Sequence, residues 1–200
     1  SGDRFVRAKK YRGWDPMLFI GRGLSGKKLG IIGAGRIGEA TARMAYAGFG
    51  MKILYTDVQD NKKLEEDCGA QKSELKDLLK ESDVVSVHVP LMPQTTHMVG
   101  KEELQMMKND AYLVNTARGA VLDEKALVEA LKEGVIAGAG LDVYEYEPAL
   151  TRGLARLPNV VLTPHIASAT IEARSEMSEL VAQNVIAALE GGEIPHVVNS

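Results

Sequence analysis

The sequence predicts an α/β fold built on a doubly wound parallel sheet. Three observations carry that prediction. Strand-like and helix-like segments alternate about six times between residues 28 and 189. The strand-like segments are nearly continuous apolar runs, as expected of strands covered by helices on both faces. Glycines, 20 in 200 residues, cluster where the backbone must turn or approach a neighbour closely. Apolar residues at 45% and charged residues at 26% are ordinary for a globular chain. The length suffices for one sizeable core.

Each element has its own signal. Asp3 to Ile20 is mixed, charged and aromatic. Lys28 to Gly33 (KLGIIG) is a short apolar run ending in glycine. Arg36 to Ala47 predicts a helix with Ile37, Ala40, Met44 and Ala47 as its apolar positions. Lys52 to Thr56 is a strand, and Lys62 to Cys68 a short polar helix stopped by Gly69. Ser73 to Glu81 places Leu75, Leu78 and Leu79 at helical spacing. Asp83 to Val89 is β-branched and strand-like, stopped by Pro90. Lys101 to Met107 predicts a helix and Ala111 to Thr116 a strand. Asp123 to Lys132 is a helix with Ala126, Leu127, Ala130 and Leu131 on one face, ended by Gly134. Ile136 to Val143 and Val160 to Thr163 are the last strands, and Thr170 to Leu189 is a long helix before Gly191-Gly192. Repeated strand–helix–strand order implies right-handed crossovers.

Composition excludes several function classes. Lys plus Arg is 24 against Asp plus Glu at 27, a net charge of −3, which leaves no basic footprint for nucleic acid or anionic lipid. The single Cys68 excludes an internal disulfide framework, and the histidines lack ligand spacing, so no metal site is expected. No apolar run approaches the ~20 residues of a membrane helix. The chain opens at Ser1 without a Met, no signal-peptide pattern follows, and no Asn-x-Ser/Thr sequon occurs. A cytoplasmic location is therefore the expectation.

Gly33-Ala34-Gly35-Arg36-Ile37-Gly38 fits G-x-G-x-x-G. It follows a predicted strand and opens a predicted helix, which is the context this motif requires. The first glycine permits the tight turn, the second admits a pyrophosphate to the backbone, and the third lets helix and strand pack closely. Free amides at the helix start, with the helix dipole behind them, favour phosphate. Asp57 ends the second strand, where a carboxylate accepts from ribose hydroxyls and repels a 2′-phosphate, favouring NAD over NADP. Lys62 and Lys63 lie nearby but off the strand end. The fold expected is thus a Rossmann-like dinucleotide-binding domain.

Three later segments place reactive side chains past strand ends, where open α/β sheets bind ligands. Arg118, in Asn115-Thr116-Ala117-Arg118-Gly119, has the fork geometry to clamp a carboxylate; taken alone it reads more readily as a solvated surface residue. Gly119 behind it suggests a backbone shaped for close approach. Asp142 falls at a strand's carboxyl end, and Glu147 precedes Pro148 in an extended conformation; each alone is either functional or a plain loop acid. His165 lies between a strand and a helix, a position suited to a general acid/base, and a neighbouring carboxylate would favour its protonated form. His88 is expected inside a strand, packed or hydrogen-bonded there, and His97 and His196 are expected to be exposed.

In their order along the chain, Gly33 to Gly38, Asp57, His88-Val89-Pro90-Leu91, Asn115 to Gly119, Gly140 to Pro148 and Pro164-His165-Ile166-Ala167-Ser168-Ala169-Thr170 resemble the D-isomer-specific 2-hydroxyacid dehydrogenases. YEYEP, LPNVVLTPHIASAT and Pro195 to Asn199 (PHVVN) look most like the glyoxylate/hydroxypyruvate reductase branch. The resemblance implies that Arg118 binds the substrate carboxylate and carbonyl, that His165 exchanges the proton at the C2 oxygen, and that Glu147 holds His165 protonated. It implies that Asp142 holds the nicotinamide, with His165 and Ala167 beside it. Arg36 and Ile37 would touch the pyrophosphate and Asp57 the ribose, with Val89, Pro90, Thr95, Thr116 and Ala117 around the rest of NAD. The implied division is a lead-in with an interdomain helix over 1–20, the dinucleotide-binding domain over 21–170, and a C-terminal helix and stub over 171–200. That stub would return to a substrate domain largely absent from the chain. The substrate implied is a small 2-oxo or 2-hydroxy acid, and a homodimer through the cofactor domain is expected. Two alternatives stand beside the enzyme: an NAD-sensing scaffold like the C-terminal-binding-protein corepressors, and an isolated domain without activity of its own.

Overall fold

The first strand, β1 (Lys28–Ile32), is the axis about which the sheet is laid. After the short helix α1 (Gly2–Arg7), the chain runs through β1, α2 (Arg36–Phe49), β2 (Lys52–Thr56), α3 (Lys62–Cys68) and β3 (Gln71–Lys72) on one side. It then passes through α4 (Leu75–Glu81) and returns past β1 to form β4 (Val84–Val87), α5 (Lys101–Met106), β5 (Tyr112–Asn115), α6 (Glu124–Glu133), β6 (Gly138–Leu141), β7 (Val160–Leu162) and α7 (Ile171–Leu189). The seven strands lie in the order β3-β2-β1-β4-β5-β6-β7, and every pairing is parallel. The architecture is the doubly wound parallel sheet that the sequence predicts. This computed structural model describes residues 2–197. Ser1 and the Val198-Asn199 end of the expected Pro195-to-Asn199 return lie outside the described residues.

Successive residues of a strand point to opposite faces, and β1 shows the consequence. Ile31 packs with Ile53, Tyr55, Leu64 and the small residues of α2, whereas Ile32 packs with Leu79, Val85, Leu113 and Leu127 across the other face. Ile31, Ile32, Tyr55, Leu64, Leu79, Val85, Leu113 and Leu127 are fully buried, and Ile53 nearly so. Both faces of β1 are covered, which is why it carries no polar alternation. The order reverses between β1 and β4, so the loops leaving their carboxyl ends diverge and open a crevice there.

The buried face of α2 differs from the expected one. Gly38, Ala42 and Ala45 face the sheet, while Ile37 and Met44 are 70% and 66% exposed, with Ala40 and Ala47 also exposed. A Cβ on Gly38 would lie 2.0 Å from the Gly33 carbonyl oxygen. The helix approaches the glycine turn so closely that only small residues fit beneath it, and the larger apolar ones turn outward. Other differences lie at element ends. β3 has two exposed polar residues at the sheet edge and carries no hydrophobic signal. β6 is shorter than Ile136 to Val143. β4 stops at Val87, so His88 lies past the strand and not within it, although its amide still donates to the Ile32 carbonyl at 2.7 Å. Among the described residues of the expected interdomain segment, only the six of α1 are helical. None of the residues of α7 is buried.

The glycine turn yields a paired prediction. Gly38→Ala forces a backbone shift and should destabilise the fold by roughly 1–3 kcal/mol. Gly35 has φ −71°, and a Cβ there would meet nothing within 4 Å, so Gly35→Ala should leave the melting temperature almost unchanged. Thermal denaturation of the two variants checks the contrast.

Candidate active site

Gly33 adopts φ +94°, a conformation suited to glycine, and a Cβ there would meet the Val89 amide nitrogen at 2.8 Å. Gly35 caps α2 in extended backbone and faces open space. The first glycine thus makes the turn, the second leaves room for a ligand at the helix start, and Gly38 seats the helix. Asp57 follows directly on β2, with one carboxylate oxygen accepting the Ala34 amide at 2.7 Å and the other the Gln59 amide at 3.2 Å. Asn61 closes the same turn from α3, donating to the Ala34 carbonyl at 2.8 Å. No motif marks Asn61 as part of the site, although Asn before a polar helix is a capping signal, and it caps α3 by accepting from the Leu64 amide.

A cavity of about 370 Å³ lies at the reversal of strand order. Gly33, Gly35, Asp57, Val89, Pro90 and Thr95 all line it. Arg36 and Ile37 are exposed in the first turn of α2 beside it. A mostly apolar cleft with an acid at one end and a glycine-capped helix start at the other fits a dinucleotide. His88 also lines it, its Nε2 2.9 Å from the Ser86 hydroxyl. Burial pushes the His88 imidazole below its ordinary pKa, which favours the neutral ring.

The other half of the edge is built by the loops after β5, β6 and β7. Asn115 is fully buried; its amide donates to the Arg118 carbonyl at 2.9 Å and its oxygen accepts from the Ala117 amide at 3.0 Å. Thr116 and Arg118 lie on that turn, and Arg118 Nη1 donates to the Ala117 carbonyl at 2.6 Å. A Cβ on Gly119 would fall 1.9 Å from the Tyr144 carbonyl carbon, so the close approach expected there is made to the loop after β6.

Asp142, 4% exposed, organises the loop that carries His165. Its carboxylate accepts from the Thr163 hydroxyl at 2.6 Å and from the Ile166 and Ala167 amides at 2.9 and 2.7 Å. Its carbonyl accepts from the His165 amide at 2.9 Å. His165 is held at φ +53°, rare for a residue with a side chain. Burial works to raise the Asp142 pKa, but the Thr163, Ile166 and Ala167 hydrogen bonds and the nearby His165 outweigh it and set it below the ordinary value. His165 Nδ1 lies 3.1 Å from Glu147 Oε2, and Glu147 Oε1 accepts from the Tyr144 amide at 3.0 Å. That amide, then His165 and the Arg118 charge, hold the Glu147 carboxyl below the usual carboxylate range.

The structure therefore gathers Arg118, Asp142, Glu147, His165 and Ala167 on one half of the edge, and the glycine loop, Asp57, Val89, Pro90 and Thr95 on the other. His97 is exposed as expected, yet its Nε2 lies 2.9 Å from Glu145 Oε1. Among the described residues no group of three or more His, Cys, Asp or Glu is arranged to hold a metal, and no helix is long and apolar enough to cross a membrane.

Fold and site together define a dinucleotide-binding α/β domain with a carboxylate–imidazole pair at the same carboxyl edge of the sheet as the crevice. Residues 1–167 match the D-isomer specific 2-hydroxyacid dehydrogenase, NAD binding domain family, and the chain belongs to that family. It is 54% identical to a glyoxylate reductase of Thermococcus litoralis over 203 aligned residues, spanning all of this chain and 61% of that protein. A glyoxylate reductase structure from Paecilomyes thermophila superimposes with a TM-score of 0.89 at 42% identity, covering 98% of this chain and 58% of that one. D-lactate dehydrogenase with NAD+ from Lactobacillus jensenii gives a TM-score of 0.85 at 33% identity, covering 100% of this chain and 63% of that one.

The Asp142 contacts set an acid limit on stability. A depressed carboxyl contributes fully above its unfolded-state value, about 3.9, and the contribution is lost as pH falls through the lower folded value. Asp142→Asn should lose this acid component. It should also lose about 1–3 kcal/mol at neutral pH, because its amide cannot accept from all three donors. Denaturant titrations at pH 7 and pH 3 check both.

Proposed function

We propose that the full-length protein is an NAD-dependent reductase of small 2-oxo acids such as glyoxylate or hydroxypyruvate, interconverting them with D-2-hydroxy acids. The observation that carries this reading is the 3.1 Å pairing of His165 with Glu147 at the same sheet edge as the glycine-capped crevice. Its relatives' names point the same way: proteins of Thermococcus litoralis and Korarchaeum cryptofilum, 54% and 53% identical, are glyoxylate reductases.

The chain spans 61% of the length of the first of these relatives, and the reading places the other wall of the substrate cleft outside it. In this reading residues 21–170 form the dinucleotide-binding domain, and the unburied α7 within 171–200 leads toward a substrate domain. Gly35, Arg36 and Ile37 hold the pyrophosphate over the backbone, with Gly33 and Gly38 shaping the turn, and Asp57 selects a ribose without a 2′-phosphate. Val89, Pro90, Thr95, Thr116 and Ala117 flank the coenzyme, with Asp142 and Ala167 bounding the nicotinamide. When bound in that crevice, NADH would supply the hydride for C2 of the substrate. Arg118 binds the carboxylate through its fork and polarises the carbonyl. His165 donates a proton to the C2 oxygen as charge develops there, and Glu147 orients the ring through Nδ1 so that Nε2 faces the substrate. A cytoplasmic homodimer, joined through this domain, completes the proposal.

Fluorescence titration with NADH and NADH-oxidation assays on the full-length protein test it. His165→Ala should lower kcat by about 10²–10⁴ while leaving NADH affinity near wild type. Asp57→Ser should weaken NADH relative to NADPH. Saturable NADH binding without turnover of any 2-oxo acid would favour an NAD-sensing scaffold instead.

A further inference from the structure

Glu124 opens α6 and is 1% exposed. A buried carboxylate is unfavourable unless it is hydrogen-bonded, and both of its oxygens bond to the loop after β6. One accepts the Glu145 amide at 2.8 Å and the other the Thr151 hydroxyl at 2.7 Å. Glu145 reciprocates, accepting the Glu124 amide at 3.3 Å. The two anchor points, Glu145 and Thr151, bracket Glu147.

The second oxygen of Glu145 faces a different loop. His97 Nε2 lies 2.9 Å from it, and the Glu145 side chain is 8% exposed against 45% for His97. Burial favours a neutral Glu145, but hydrogen bonds from Tyr146, His97 and the Glu124 amide hold its pKa below the ordinary value. His97 belongs to the loop after β4, whose Thr95 and Met98 line the coenzyme crevice. Its backbone is fixed in turn, the His97 amide donating to the Ala120 carbonyl at 2.8 Å. Tyr144 completes the circuit, donating its hydroxyl proton to the Thr163 carbonyl at 2.8 Å, on the loop that carries His165.

We propose that His97, Glu145 and Glu124 form a clamp that fixes Glu147, and through it His165, relative to the coenzyme wall. They are positioning residues for the proton transfer, an inference that rests on the reductase reading above. If these acids served only to pack α6, they would bond within α6 or to its neighbouring helix. Instead their bonds tie α6 to two functional loops, after β4 and after β6, and a displacement of about 1 Å in a catalytic group slows chemistry by as much as 10². The Arg118 side chain bonds to none of His97, Glu145 and Glu124, its Nη1 donating instead to the Ala117 carbonyl, so loss of the His97–Glu145 bond should leave binding of the substrate carboxylate in place.

Steady-state kinetics on the full-length protein decide the matter. His97→Ala and Glu145→Ala should each lower kcat roughly 10- to 100-fold with KM for the 2-oxo acid unchanged. The double variant should be no slower than the slower single one, as expected for two ends of one contact. Glu145→Gln, which keeps an acceptor toward His97, should recover most of the lost rate. His97 is half exposed, so His97→Ala leaves the core intact and carries the test even where Glu145→Ala does not fold. Wild-type kcat in His97→Ala, additive losses in the double variant, or a rate loss matching the unfolded fraction would each overturn the clamp while leaving the reductase reading intact. A wild-type enzyme that reduces no 2-oxo acid would remove both.

Discussion

Seven parallel strands ending at one edge impose a demand that the rest of the molecule answers. Parallel strands cannot be joined by tight hairpins, so each carboxyl end releases a loop whose amides and carbonyls leave the ladder. Buried backbone groups must still be paired. Here side chains supply the partners: Asp57 and Asn61 for Ala34, Asn115 for Ala117 and Arg118, Asp142 for Ile166 and Ala167, Glu124 for Glu145. The acids and amides that close these loops also fix where the functional side chains sit.

The second demand is close approach. Gly33 lies against the Val89 amide, Gly38 against the Gly33 carbonyl, and Gly119 against the Tyr144–Glu145 peptide. The first two contacts bring the helix start and the loop after β4 together at the crevice. The third brings the Arg118 turn against the loop of Glu147. Glycine is required in each case because a neighbouring backbone fills the place a side chain would take. The outward-turned Ile37 and Met44 follow from the same geometry, since α2 has no depth beneath it for large residues.

Asp142 shows how one residue takes on a role beyond the one its position suggests. Its place at the end of β6 makes it a candidate neighbour of the nicotinamide, yet its oxygens already hold the Thr163 hydroxyl and two amides. The carboxylate shapes the turn that keeps His165 in left-handed backbone. Any contact with a ring is made by a group whose orientation is already set, which suits a site that must be in place before substrate arrives.

Apolar runs, helix stops and the glycine motif are legible as local patterns, because strand burial, capping and tight turns depend on near neighbours in sequence. They determine the sheet, the crossovers and the crevice, and the placement of Arg118, Glu147 and His165 past strand ends follows from the same order. The two-residue β3, the true face of α2 and the clamp from His97 through Glu145 to Glu124 are not legible. Each rests on contacts between segments far apart in the chain: β3 exists by pairing with β2, and α2 turns by the depth available over β1. His97 and Glu145 meet across 48 residues. Local chemistry chose the elements, whereas the distances between loops were decided only when the strands came into register.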